Sequence, residues 1–473
     1  MTEQQAVNQA MRYFDSGAFQ QLLARRIACI TESQHPGRQA ELQHYLQAEI
    51  GPQLEALGFT LHLFDNPQPQ SPPFLIAVRI EDPAQPTLLC YGHGDVVSGD
   101  AENWRQDLSP WQLTAEGDRW YGRGSADNKG QHCINLAALE QVMAARGGRL
   151  GFNCKILFEM GEEISSPGLA QICQQQQALL AADLFIASDG PRLNAERPTL
   201  FLGSRGAANF RLTITARDNA YHSGNWGGLL SNPGTQLANA LACLVNAQGV
   251  LQVAALKPDS LTPAVRDILS DIEPGGMPGD PALAENWGEP GLTAAERLYG
   301  WNTLEVLAFE TGHPARPMNA IPGRATAVCQ LRFVVGTDWQ NLTQHIDQHL
   351  RQHGFDNVSV EFMRGSPATR LNPQDPLVAW ALSSLARSSG KKPALLPNLG
   401  GSLPNEVFAD ILGLPTLWVP HSYPACGQHG VNEHMLTSIA REGLEIMTRL
   451  FWQLGEEGQL LIARHRDWQE SGQ

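Results

Sequence analysis

The amino-acid sequence predicts an α/β fold: a mainly parallel mixed sheet flanked by helices and interrupted by an inserted α+β unit. Apolar, strand-like runs alternate with segments of helical periodicity as far as Asp189, the pattern of βα units laid side by side. From Phe210 the texture changes to strands with one apolar and one polar face, and from Pro376 the first texture returns. A chain of 473 residues also exceeds what one hydrophobic core usually organises. The simplest division is one domain built from residues 1–206 and 366–473, with an insertion at 207–365.

The elements follow in order. Leu42, Leu46, Ile50, Leu54 and Leu57 recur at helical spacing, and Gly51-Pro52 predicts a kink or break among them. Strands are expected at Thr60–Phe64, Phe74–Ile80 and Thr87–Tyr91, the last running into Gly92-His93-Gly94-Asp95. Ile134, Ala138 and Val142 mark a helix, and Phe152–Phe158 and Leu184–Ser188 two further buried strands. In the insertion, Phe210, Leu212, Ile214 and Ala216 alternate with polar residues, and Pro233 to Asn246 reads as helix. Lys257 to Trp301 is rich in Pro, Gly, Asp and Glu and predicts a long surface excursion with one short helical piece. Ala325–Val335, a helix near Asp338–His353 and a strand near Val358–Phe362 complete the insertion. A helix after Pro376, an apolar run at Ile411–Val419 and a final helix after Glu433 close the chain, which has no internal repeats or low-complexity tracts.

Bulk properties exclude some classes. A hydrophobic fraction of 42% with 17% charged residues is that of an ordinary globular protein. A net charge of -15 argues against general nucleic-acid binding, which needs a basic footprint. No secretory signal is visible in Met1 to Phe19, and no uninterrupted apolar run reaches membrane-spanning length. The eight cysteines are scattered, several inside apolar runs as Cys154 and Cys329 are, which reads as reduced thiols rather than a disulfide frame. A cytoplasmic protein without nucleic-acid or membrane partners is expected.

The chemistry centres on Glu162-Glu163, at the end of the apolar run that begins near Phe152. Two adjacent carboxylates at the mouth of a buried strand repel each other and lose hydration, so a cation or a shared proton has to hold them there. A metal answers both needs: one carboxylate binds it and its neighbour is free to move a proton. The plainer alternative is a solvated turn. His93, Asp127, Glu162, Glu163 and Asp189 all lie at strand ends or in the loops just after them, where α/β sheets bind ligands.

Gly92-His93-Gly94-Asp95, Gly122-Arg123-Gly124-Ser125-Ala126-Asp127-Asn128-Lys129-Gly130, Gly161-Glu162-Glu163 and Ser188-Asp189 follow one another in order. His222-Ser223-Gly224, Asn319-Ala320-Ile321-Pro322, Gly400-Gly401-Ser402-Leu403-Pro404 and Gly427-Gln428-His429-Gly430-Val431-Asn432-Glu433 continue the series. Together they resemble the dizinc exopeptidases and deacylases that include carnosinase, acetylornithine deacetylase and glutamate carboxypeptidase, over nearly the whole chain. The Gly-Gly-Ser-Leu-Pro stretch and Asp189 resemble the carnosinase-like dipeptidases most.

The resemblance implies a catalytic domain carrying two divalent ions and an inserted lid and dimerisation domain. His93, Asp127, Glu163, Asp189 and His429 match the metal ligands, with Asp127 bridging. This donor set suits zinc, and manganese and cobalt also accept it. Asp95 matches an acceptor that fixes the His93 imidazole. Glu162 matches the general base that takes a proton from the water between the ions and passes it to the leaving amine. His222 matches a histidine that crosses a dimer interface to stabilise the oxyanion, and Asn319 a donor from the same lid. From the residues themselves, Arg332 on the polar face of a lid strand reads either as a grip for a substrate carboxylate or as a solvated charge. Gly400-Gly401-Ser402 reads either as a cradle for that carboxylate, through its N–H groups and the Ser402 hydroxyl, or as a glycine-rich connection. The residues from Lys257 to Trp301 match nothing in the resembling enzymes, and Gly190-Pro191 sets the loop after Asp189 apart.

Three functions are then in competition. The first is hydrolysis of the amide bond of a dipeptide or similar small peptide. The second is deacylation of an N-acyl amino acid at the same centre, with carboxypeptidase action as a variant. The third, a non-catalytic metal-bound scaffold, has no use for Glu162. All three imply a homodimer.

Overall fold

The computed structural model describes residues 2–278 and 280–472. Strands β1 (Thr60–Phe64), β2 (Phe74–Arg79) and β3 (Thr87–His93) are followed by the short β4 (Thr114–Glu116) and β5 (Arg119–Tyr121). Beyond the helix Lys129–Ala145 come β6 (Asn153–Glu159), β7 (Leu184–Ala187) and β8 (Thr199–Phe201). Then follow β9 (Gly206–Thr215), β10 (Tyr221–His222), β11 (Thr303–Thr311), β12 (Ala320–Ile321), β13 (Arg324–Phe333) and β14 (Ser359–Ser366). The chain finishes with β15 (Ala394–Leu396), β16 (Thr416–Trp418), β17 (His434–Leu436) and the long helix Thr437–Glu470.

The large sheet has the order β1-β2-β6-β3-β7-β16-β8-β15. Its centre is parallel: β6 with β3, β3 with β7, and β7 with β16. These strands are buried on both faces, which is why their sequences read as unbroken apolar runs. One face packs under the helices Lys129–Ala145 and Thr437–Glu470, and the other holds Phe185, Phe201, Phe408 and Trp418. β2 departs from the parallel pattern. It is antiparallel to both β1 and β6, because no crossover helix separates it from β1 and the chain simply turns back.

The predicted break at Gly51-Pro52 is absent. Helix runs on from Gln39 to Ala56 by widening between Tyr45 and Ile50, where the Gly51 N–H reaches back to the Leu46 carbonyl. The wider turn relieves the clash that a proline ring makes with the carbonyl four residues before it.

The small sheet, β11-β13-β9-β14, is antiparallel throughout. Its inner face, with Phe210, Leu212, Ile214 and Leu331, packs on the helices Pro233–Leu244 and Leu342–Gln352 through Leu237, Ile346 and Leu350. Asn232 caps the first of these helices by accepting from the Gly234 and Thr235 N–H groups.

The excursion between Lys257 and Trp301 holds two helices, Pro263–Leu269 and Ala294–Tyr299, rather than one. It does not pack on the small sheet beside it in sequence. Val265, Leu269, Ile272, Ala295 and Tyr299 enter the core of the large sheet with Phe185, Phe201 and Trp418. Pro-rich and acidic composition hid this, because few apolar residues carry the contact, with Leu261 and Ile268 packing at its edge. Leu269→Ala is therefore expected to cost about 2–4 kcal/mol in chemical denaturation of the large-sheet unit. An unchanged midpoint would mean that the excursion is only draped over the surface.

Candidate active site

Residues that the sequence motifs single out converge at the carboxyl ends of β3, β6 and β7. His93 is the last residue of β3, Asp189 lies two residues beyond β7, and Glu162 and Glu163 form a single helical turn just after β6. Asp127 precedes the helix Lys129–Ala145, and a Cβ on Gly130 would stand 1.9 Å from the Ser125 carbonyl, so only glycine lets that loop close onto the helix. His429 arrives from the loop before β17 with a left-handed backbone, φ 60°.

Two groups of donor atoms result: His93, Asp127 and Asp189, and Asp127, Glu163 and His429. The two oxygens of Asp127 divide between them, Oδ1 lying 3.1 Å from His93 Nε2 and Oδ2 3.0 Å from His429 Nε2. His93 Nε2 is 3.5 Å from Asp189 Oδ2, and His429 Nε2 is 3.0 Å from Glu163 Oε2. Ligands held at about 2.0–2.1 Å around a tetrahedral ion stand roughly 3.4 Å apart, so both groups have the spacing of a coordination shell. Asp189 Oδ2 is buried with no hydrogen-bond partner among the described residues, which a cation would supply. The residues present therefore fit a pair of divalent ions sharing Asp127.

Protonation tells the same story. Burial opposes charge on Asp127, but the His429 and His93 imidazoles hold its carboxyl far below the usual range. Contacts with Asp127 and Glu163 lift His429 to about 10. Burial, reinforced by the Asp127 charge, raises Glu163 to about 7. Burial also raises Glu162 well above the ordinary carboxyl range, helped by Asp189, Asp127 and Glu163. Without metal the cluster gathers protons where cations would bind, and the two compete.

Asp95 does more than the sequence suggests. Its Oδ1 lies 3.3 Å from His93 Nδ1, and its two oxygens accept the Glu162 and Glu163 N–H groups at 3.1 Å each. One carboxylate thus fixes an imidazole and the turn that carries both glutamates. Glu433, whose part the motif alone did not reveal, does the same for Asp127. Fully buried, it accepts from Arg123 Nη1 and the Gly124 N–H at 2.9 Å, and from the Ala126 and Asp127 N–H groups at 2.9 and 3.0 Å. A glutamate closing a run of seven motif residues was the only sequence signal for it. Glu159 is a third support. Tyr91 and Ser166 hydroxyls donate to its Oε1 at 2.7 and 2.9 Å, tying the end of β6 to the turn beyond Glu163.

Glu162, Asp127, Asp189, Gly401, Ser402 and His429 line one cavity of about 560 Å³, together with Tyr299 from the excursion. Arg332 reaches its edge by donating to Ser402 Oγ at 2.8 Å. The Ser402 hydroxyl in turn donates to the Arg205 carbonyl at 2.8 Å, so its proton is not free for a ligand as the sequence reading assumes. His222 and Asn319 are brought together but stand apart from this cavity. His222 pairs with Ala320 across β10 and β12, and the Ser223 N–H donates to the Asn319 carbonyl. A larger cavity of about 790 Å³ lies beside the loop 312–318, lined by Arg211, Arg217, Arg316 and Arg324, and contains neither donor group.

Residues 89–453 match the model of peptidase family M20/M25/M40. The chain belongs to this family. As an M20 chain it is similar to the Beta-Ala-His dipeptidase of Mus musculus, 24% identical over 409 residues that make up 82% of this chain and 80% of the relative. It is 30% identical to the Cys-Gly metallodipeptidase of Candida albicans, over 81% of this chain and 84% of that one. The fold is shared with human carnosine dipeptidase 1 at a TM-score of 0.74 and 22% identity, covering 95% of this chain and 99% of that one. It is also shared with an M20 family metallo-carboxypeptidase from Sulfolobus solfataricus, at a TM-score of 0.77 and 23% identity over 93% and 99%. The M20 enzymes are metallopeptidases, and the two donor groups found here are the feature such chemistry needs.

Two outcomes test the supports. Glu433→Gln leaves Arg123 buried without its charged partner and should lower stability by about 3–5 kcal/mol in denaturant titration. Glu159 is raised from 4.5 to about 7 by burial and the nearby Asp95 charge, so the folded chain holds its proton where the unfolded chain has lost it. Its contribution to stability is complete below pH 4.5 and is lost as pH rises through about 7. Glu159→Gln should accordingly flatten the fall in Tm between roughly pH 5 and 8; an unaltered slope would place the proton elsewhere.

Proposed function

We propose that this M20 chain is a dinuclear metal-dependent dipeptidase in which Glu162 is the general base. The observation that carries this is the sharing of Asp127 between two donor groups, with Glu162 beside them in the same cavity. His93 and Asp189 would hold one ion, Glu163 and His429 the other, and Asp127 both. Zinc suits these N/O donors, and manganese or cobalt could replace it. When bound, such ions lower the pKa of water and polarise the scissile carbonyl.

The remaining work falls to the protein. Glu162 takes a proton from the attacking water onto its carboxylate and returns it to the leaving amine nitrogen. Its raised proton affinity brings donor and acceptor closer, so the transfer is less uphill. Arg332, with the N–H groups of the Gly401–Ser402 loop, binds the substrate carboxylate at the edge of the cavity that holds Glu162. The dipeptidase relatives, matched over about four fifths of the chain, support this choice over deacylation.

His222 and Asn319 lie outside the cavity of their own chain, on exposed β10 and just before β12. We read them as reaching the site of a second copy, with residues 207–365 as the lid and dimerisation domain between 1–206 and 366–473. Free thiols at all eight cysteines are in keeping with a cytoplasmic location. Among the described residues, no helix is long and apolar enough to cross a membrane.

The test is metal analysis combined with a panel of dipeptides and N-acyl amino acids. About two metal equivalents per chain and dipeptide turnover are expected. Glu162→Gln should keep its metal while kcat falls by about 10²–10⁴. Near-native turnover in that variant would remove Glu162 from the mechanism, and turnover of N-acyl amino acids alone would transfer the chain to the deacylases.

A further inference from the structure

Lys257 to Trp301, the stretch to which no motif assigns a role, ends inside the active-site cavity. Its last helix, Ala294–Tyr299, is fixed at the start by a capping box between Thr293 and Glu296. At its other end Arg205 Nη1 donates to the Leu298 carbonyl at 2.7 Å. Arg205 also offers its own carbonyl to Ser402, whose oxygen accepts from Arg332. Helix end, Arg205, the Gly401–Ser402 loop and Arg332 therefore form one connected wall.

Tyr299 stands in that wall. It is 8% exposed and lines the cavity shared by Glu162, Asp127 and Ser402. Its ring edge faces Gly400, where an added Cβ would lie 3.7 Å from Tyr299 Cε1. Among the described residues its hydroxyl has no hydrogen-bond partner, and the charge beside it is the guanidinium of Arg205. Burial pushes the phenol up to about 12 against the opposing pull of Arg205, so it remains a neutral donor at working pH.

Charge differs across the cavity: carboxylates crowd the donor groups, whereas behind the Ser402 and Tyr299 wall stand the guanidiniums of Arg332, hydrogen-bonded to Ser402 Oγ, and Arg205, hydrogen-bonded to the Leu298 carbonyl. An anionic group bound at that wall meets cationic donors. The Ser402 hydroxyl proton is already committed to the Arg205 carbonyl. Beside the Gly401–Ser402 N–H groups, the Tyr299 hydroxyl is a further neutral donor in the same cavity wall.

We propose that Tyr299 contacts the substrate, donating its phenol hydrogen to the free carboxylate of the bound dipeptide, so that the excursion serves as a selectivity wall for substrates ending in a carboxylate. This rests on the dipeptidase reading above. A donor lost opposite a charged acceptor lowers affinity roughly ten- to hundredfold.

The experiment compares each dipeptide that the enzyme cleaves with its C-terminal amide. Tyr299→Phe should raise KM for the free acid about ten- to hundredfold while kcat changes by less than about threefold. Kinetics on the amide, metal content and Tm should stay at parental values. An unchanged KM on the acid, or equal losses on acid and amide, overturns the proposal. Calorimetric titration of the same acid and amide into Glu162→Gln, with and without Tyr299→Phe, reads binding without turnover. If the parent cleaves only N-acyl amino acids, the dipeptidase reading fails, and the same acid and amide comparison on those substrates still decides Tyr299. If the Glu162→Gln parent binds none of these ligands, both readings fall.

Discussion

The structure depends on concentrated negative charge at a place with little water. Asp127, Glu163 and Asp189 meet at the ends of β3, β6 and β7, with Glu162 beside them and only two imidazoles to offset them. Carboxylates brought this close do not stay ionised without counter-charge. The chain holds them there by strands buried on both faces, whose ends cannot drift apart without exposing the core. Fold stability and the cost of the site are thus drawn from the same elements.

Around that cluster each ligand is held from behind. Asp95 spans His93 and the turn of Glu162 and Glu163, and Glu433 gathers four donors from the loop that presents Asp127. Both use buried carboxylates to organise backbone N–H groups, an arrangement that loses much more when broken than an exposed pair would. The orienting residues are as tightly placed as the donors themselves, and coordination geometry is only as precise as they are.

The second feature is the division of labour outside the large sheet. The small sheet builds its own core, yet the segment between its strands returns to the large sheet and finishes at the cavity wall. Arg205 and Arg332 lie at this junction, one just before β9 and the other near the end of β13. Arg332 belongs to a strand of the small sheet, whereas Tyr299 is packed with the large sheet, so the wall around Ser402 draws on both sheets.

Much of this was legible in the sequence. Continuous apolar runs gave the buried strands, alternation gave the small sheet, and the family resemblance carried by the ordered motifs implied the residues that the structure gathers into the two donor groups. At Gly51-Pro52 the local rule offers a kink or a break, and packing along Leu46, Ile50 and Leu54 favours a widened turn over losing the helix. The mixed character of the sheet was expected, but which strand runs antiparallel was not legible, because alternation of strand and helix signals does not reveal that β2 lacks a crossover. Glu433, Glu159 and Tyr299 were beyond reach for a different reason. Their parts depend on partners elsewhere in the chain, about 300 residues away for Glu433 and on the neighbouring strand for Glu159, or on which sheet a loop packs against, and no periodicity records that. Sequence determined which groups could do the chemistry. Only the tertiary structure decided which buried groups hold them in place and which residues wall the cavity beside them, because those follow from long-range packing.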